Sequence, residues 1–149
     1  MSSGEFAERG VILAFDKPVL AETIHMHSLH VLVLNPREND TLNCWCELRP
    51  KFVGGIDLAL EPGDNEGTCR IVDVGGFIPA GPAPGAVFVP DLPPDFNRES
   101  PLRVILEGDM VMDENGRGVD ADHLPKWLPN RPTGDLSEGG KFFSWFNLA

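Results

Sequence analysis

Three histidines, His25, His27 and His30, stand close together, and Cys44 and Cys46 follow one strand later. Zinc takes imidazole and thiolate ligands in a tetrahedron. Strand residues at i and i+2 share a face, so both thiols can meet one ion while the segment before them presents imidazoles. Two features oppose this. Structural zinc sites use knuckles with two or more residues between the cysteines. The alternation Leu42, Cys44, Cys46, Leu48 also reads as a core face, where an unpaired cysteine acts as a small hydrophobe. Buried thiols and surface histidines are therefore expected, with zinc as the alternative. Cys69 is a candidate disulfide partner for Cys44 or Cys46 across two sheets. Cys44 and Cys46 sit too far apart along a strand to bridge each other. Three cysteines leave one over in any pairing, and reduced thiols are the expectation.

A second cluster, Asp109, Asp113, Asn115, Asp120 and Asp122, supplies the oxygen ligands that Ca²⁺ prefers. The EF-hand spacing is absent, because Gly116 follows Asn115 at once and no bidentate Glu stands in register. Hairpin-turn chemistry at Asn115-Gly116 accounts for the same residues without an ion. No Gly-x-Ser-x-Gly elbow occurs, the serines are scattered, and nothing selects a Cys46–His27 pair as nucleophile and base. Gly75-Gly76 lacks the Lys-Ser/Thr of a phosphate cradle. The expectation is a non-enzymatic chain with no cofactor.

The elements that would carry these residues are strands. Val11, Leu13 and Phe15 alternate with Ile12, Ala14 and Asp16. His30–Leu34, Leu42–Leu48, Phe52–Leu60 (weakened by Gly54-Gly55), Cys69–Val74, Leu102–Leu106 and Phe142–Leu148 read as further strands, separated by Pro- and Gly-rich turns. Met1–Arg9 reads as a flexible arm and residues 10–149 as one domain. Pro79–Pro94 holds six prolines and reads as an inserted loop in which only Ala86–Val89 resembles a strand. That loop, through Val87, Phe88 and Val89, together with Phe143 and Trp145 of the last strand, is the expected partner surface. A carbohydrate platform built on Trp45, Trp127 or Trp145 is a further alternative.

The segment Phe15-Asp16-Lys17-Pro18-Val19, then Thr23-Ile24, Ser28-Leu29 and Val31, with a late Asp113-Glu114-Asn115-Gly116 turn before Val119, resembles a family of bacterial Ig-like domains first recognised in surface-layer proteins. The resemblance implies an all-β, Ig-like β-sandwich of seven to nine strands with long Pro/Gly-rich loops. It also implies service as an interaction or structural module within a larger assembly. The chain has no Tyr, so the tyrosine corner of antibody domains is absent.

At 149 residues and 42% hydrophobic content the chain can bury a core. Its net charge of −11 repels nucleic acid and anionic lipid and leaves a protein as the expected partner. No run is long and apolar enough to span a membrane. The first residues show no secretory h-region, which makes a cytoplasmic location the default expectation, without excluding export.

Overall fold

The computed structural model describes residues 3–37, 44–64, 69–118 and 141–146. Helix α1 (Ser3–Arg9) leads into β1 (Val11–Leu20), and a single 3-10 turn (Ala21–Thr23) carries the chain to β2 (Leu29–Leu34). There follow β3 (Trp45–Glu47), β4 (Pro50–Pro62), β5 (Cys69–Ile78), β6 (Pro82–Pro90), β7 (Leu102–Glu107) and β8 (Lys141–Phe146). They form two antiparallel four-stranded sheets, a first with order β1-β6-β4-β5 and a second with order β3-β2-β7-β8. The architecture is all-β, two sheets about one shared core.

Alternation builds that core. Leu29, Val31 and Val33 of β2 and Leu102, Val104 and Leu106 of β7 are buried from the second sheet. Val11, Ala86 and Phe88 meet them from the first, with Leu13, Phe15 and Val53 packed alongside. The crossing between the sheets is held by the fully buried Ser28. Its hydroxyl donates to Thr23 O at 2.8 Å and accepts the His25 N–H at 2.9 Å. A buried hydroxyl satisfied in both roles fixes the turn at little cost.

Residues 3–9 are not a loose arm. They form α1, whose Phe6 is fully buried and lies 6.3 Å, centroid to centroid, from Phe96. A seven-residue helix is marginal alone, so its order comes from this anchor. Gly10 ends it at φ +72°, with its N–H donating to Phe6 O. A Cβ there would sit 1.9 Å from Phe88 O; only glycine satisfies both the dihedral and the approach.

Nor does the proline-rich segment form a loop throughout. Residues 82–90 are β6, a central strand between β1 and β4. Its prolines occupy positions that spare the ladder. Pro82 and Pro84 lie beyond the reach of β4, which pairs only from Gly85 to Pro90. Pro84 stands opposite the irregular stretch Phe15–Pro18 of β1, between the Ala14↔Gly85 and Val19↔Ala83 pairs. Pro90 pairs with Pro50 where both strands end. A proline where no donor is required is compatible with a strand. The turn before β6 is tied to the crossing: the Gly81 N–H donates to Glu22 Oε2 at 2.9 Å. Backbone donors from Glu22 itself and from Gly81 hold this carboxyl below its ordinary pKa of 4.5.

Candidate functional site

Histidines and cysteines do not converge. His30 Nδ1 lies 2.7 Å from Glu47 Oε1 and Nε2 lies 3.0 Å from His27 O, so both ring nitrogens already face acceptors. His25 Nδ1 accepts the His27 N–H at 3.2 Å. Cys44 and Cys46 are unpaired and exposed, not core. Cys46 stands opposite the buried Val33, so alternation gives its direction correctly. But β3 is the edge strand, and Cys46 opens onto a cleft lined by Pro36, Arg37, Arg49, Leu92 and Pro93. Among the described residues no three His, Cys, Asp or Glu side chains come together in a way that could hold a metal ion. The side chain of Cys69 lies outside the described residues.

Around Asp113 the chain makes a hairpin turn. Asp113 Oδ1 accepts the N–H groups of Asn115 at 2.8 Å and Arg117 at 3.0 Å, and Gly116 holds φ +76°. Exposed Asp109 lies in the preceding turn; Asp120 and Asp122 lie outside the described residues. Trp45 is half-buried, with the Arg103 guanidinium 4.4 Å from its ring centroid. One indole face is thereby taken by a cation. Trp127 and the side chains of Phe143 and Trp145 lie outside the described residues, although the backbone of the latter two is in β8, against β7.

The feature that the alternation of the sequence does not display is the outer face of the first sheet. Residues opposite one another in an antiparallel pair share a face. Val53, Ala86 and Phe88 point into the core, so their neighbours Phe52, Ile56, Val87 and Val89 point outward, as does Ile12 beside Leu13. Here the polar residues expected of a solvent-facing sheet surface are replaced by apolar ones. Ile56, Leu58 and Val87 form a second buried cluster, with Ile12 and Val89 packed against it.

β5 extends this surface through two bulges. Ile56 pairs with Phe77, Leu58 with Val74, and Leu60 with Ile71. Between them, Gly75-Gly76 stand opposite Asp57 alone, and Val72 is the extra residue beside Leu60 and Ile71. Each inserted residue resets the alternation. Ile71, Val74 and Phe77, three residues apart, therefore share one face with Leu60, Leu58 and Ile56. Their exposures are 41%, 48% and 54%, and those of Val72 and Phe52 are 53% and 36%. Phe52 and Phe77 meet edge to face at 4.7 Å, and the Phe77 ring lies over Gly54, where a Cβ would come within 2.7 Å of it. Beside this aromatic ridge runs a groove of about 540 Å³ lined by Ile12, Ile56, Ile71, Val72, Val74 and Val87, with Arg9 and Asp73 its charged residues.

Of the residues expected to meet a partner, Val87 and Val89 belong to this outer face, whereas Phe88 is 1% exposed and faces the core. Ile71, Val74 and Phe77 carry no signal in a two-residue alternation, because the bulges of β5 fall between them. The one trace is Gly75-Gly76, since paired glycines inside a strand mark a bulge. No helix among the described residues is long and apolar enough to cross a membrane. The chain matches no family model, no curated protein and no solved structure.

Proposed function

We propose that this chain is a non-enzymatic protein-interaction or structural module, an Ig-like sandwich of the kind its opening and late-turn motifs resemble, and that it docks another protein through the outer face of its first sheet. One observation carries the reading. Four large apolar side chains, Phe52, Ile71, Val74 and Phe77, are each more than a third exposed on one sheet face, and exposed Val72 lies on the bulge beside them, lining the groove. Isolated exposed hydrophobes are ordinary, but a continuous patch of this kind marks an interaction surface. Depletion of charge at its centre is the signature of an interface core. The rest of the molecule, at a net −11, keeps the chain soluble while the face stays apolar.

A photo-crosslinking residue at position 77, introduced in the native host, tests this. Adducts of discrete mass are expected there and not from the same residue at position 64, which is exposed and polar. No adduct at position 77 would overturn the reading.

A further inference from the structure

We infer that the occupant of this outer face is a second copy of the chain, packed about a two-fold axis as a face-to-face sheet pair; the inference rests on the docking reading above. Three observations lead to it.

The first is area. Aromatic side chains offer on the order of 150–250 Å² each, and Ile and Val lie at or below the lower end of that range. The exposed fractions of Phe52, Ile71, Val72, Val74 and Phe77 then leave roughly 400–500 Å² of apolar surface per copy. Two copies can bury roughly 800–1,000 Å² from these side chains alone, so the contact approaches the ~1,000 Å² floor of a specific interface and the groove rim supplies the remainder.

The second is shape. A two-fold interface must be complementary to itself. Along β4 this face carries a ridge, Phe52 with Phe77, and then the groove that begins at Ile56. Antiparallel apposition of two such faces sets each copy's ridge into the other's groove. Both aromatic knobs are buried by the same operation.

The third is charge. The side chains that the register places on this face, Phe52, Ile56, Leu58, Ile71, Val74 and Phe77, carry no charge, so the centres of apposed faces meet without a like-charge clash. Repulsion between two chains of −11 acts at longer range and is screened by salt. The edge of β5 is a poorer docking element than its face, because the bulges at Val72 and Gly75-Gly76 interrupt any ladder built on it.

Sedimentation equilibrium of the purified chain from about 10 to about 200 μM tests the proposal. A monomer–dimer equilibrium is expected, tightened several-fold as NaCl rises from about 50 to about 500 mM; docking driven by an oppositely charged partner would weaken instead. Phe77→Asp and, independently, Val74→Lys are expected to weaken the dimer at least tenfold. Met110→Asp, altering a 41% exposed side chain away from this face, leaves it unchanged. Far-UV circular dichroism and the melting temperature confirm that each variant folds. A dimer that survives both face substitutions overturns the inference. A monomer throughout, with a heterologous adduct at position 77 in the host, overturns the second copy and leaves the docking face standing. A monomer without any adduct overturns both.

Discussion

Whether β6 presents Phe88 inward and Val89 outward decides the assignment of every other residue on the first sheet, since a one-residue slip exchanges the two faces. Paired truncations measure it. The Phe88 side chain is 1% exposed and of order 200 Å² in area, so its burial stabilises the fold by at most about 5 kcal/mol at ~25 cal/mol per Å². Truncation also leaves a cavity between the sheets, and Phe→Ala in such sites costs about 3–5 kcal/mol. Val89 is half-buried on the outer cluster. Removing its two methyl groups forfeits about half the burial of a small side chain, roughly 1 kcal/mol or less. Urea unfolding of Phe88→Ala and Val89→Ala is therefore expected to separate the two by at least ~2 kcal/mol at equal m-value. The measurement belongs at a concentration where the chain is monomeric, since association would add to the apparent cost of Val89→Ala. If Val89→Ala costs as much as Phe88→Ala or more, the outer face described here is the inner one, and the docking argument fails with it.

Three further outcomes are expected. Gly10→Ala, forced against Phe88 O at a positive φ, is expected to lose more than ~2 kcal/mol and to speed amide exchange in residues 3–9; unchanged exchange would refute the cap. Glu22→Gln is expected to leave a protein less sensitive to acid. The Glu22 carboxyl is held below 4.5 when folded, so its contribution is present above that pH and disappears as pH falls through the lower folded value. Wild type and variant should converge at the acid end of a melting-temperature profile, and parallel curves would refute this. Asp113→Ala, which removes the acceptor for Asn115 and Arg117 N–H, is expected to cost about 1–2 kcal/mol equally with millimolar Ca²⁺ or with EDTA. A calcium-dependent loss would make the turn an ion site.

The centre of the core follows strand alternation. Leu29/Val31/Val33 and Leu102/Val104/Leu106 follow a period of two, and their burial follows it too. Burial at the ends and edges was less legible, because it depends on what lies across from a residue. Cys46 points the way its neighbours suggest, yet β3 is an edge strand and the thiol meets a cleft. Phe6 lies in a polar-looking segment that owes its order to a pocket beside Phe96, which no local pattern reveals. Prolines misled in one direction: their number suggested a loop, but their positions, opposite another irregularity or at a strand end, let β6 run through the middle of a sheet. The apolar outer face was hidden most deeply. Ile71, Val74 and Phe77 repeat every third residue, a period of neither helix nor regular strand, and only the pairing partners Leu60, Leu58 and Ile56 show that they align.

The bulged margin of β5 also bears on how association can proceed on that side of the first sheet. A regular open edge is a template: each strand added exposes another edge, and growth has no natural end. Side-chain packing between two sheet faces is used up by a single encounter, because the contacting surface is then hidden and the opposite surface of the sheet is already committed to its own core. By interrupting the first route at β5 while enriching the second, the two insertions at Val72 and Gly75-Gly76 favour, on this side of the sheet, a contact of finite stoichiometry over strand-by-strand growth.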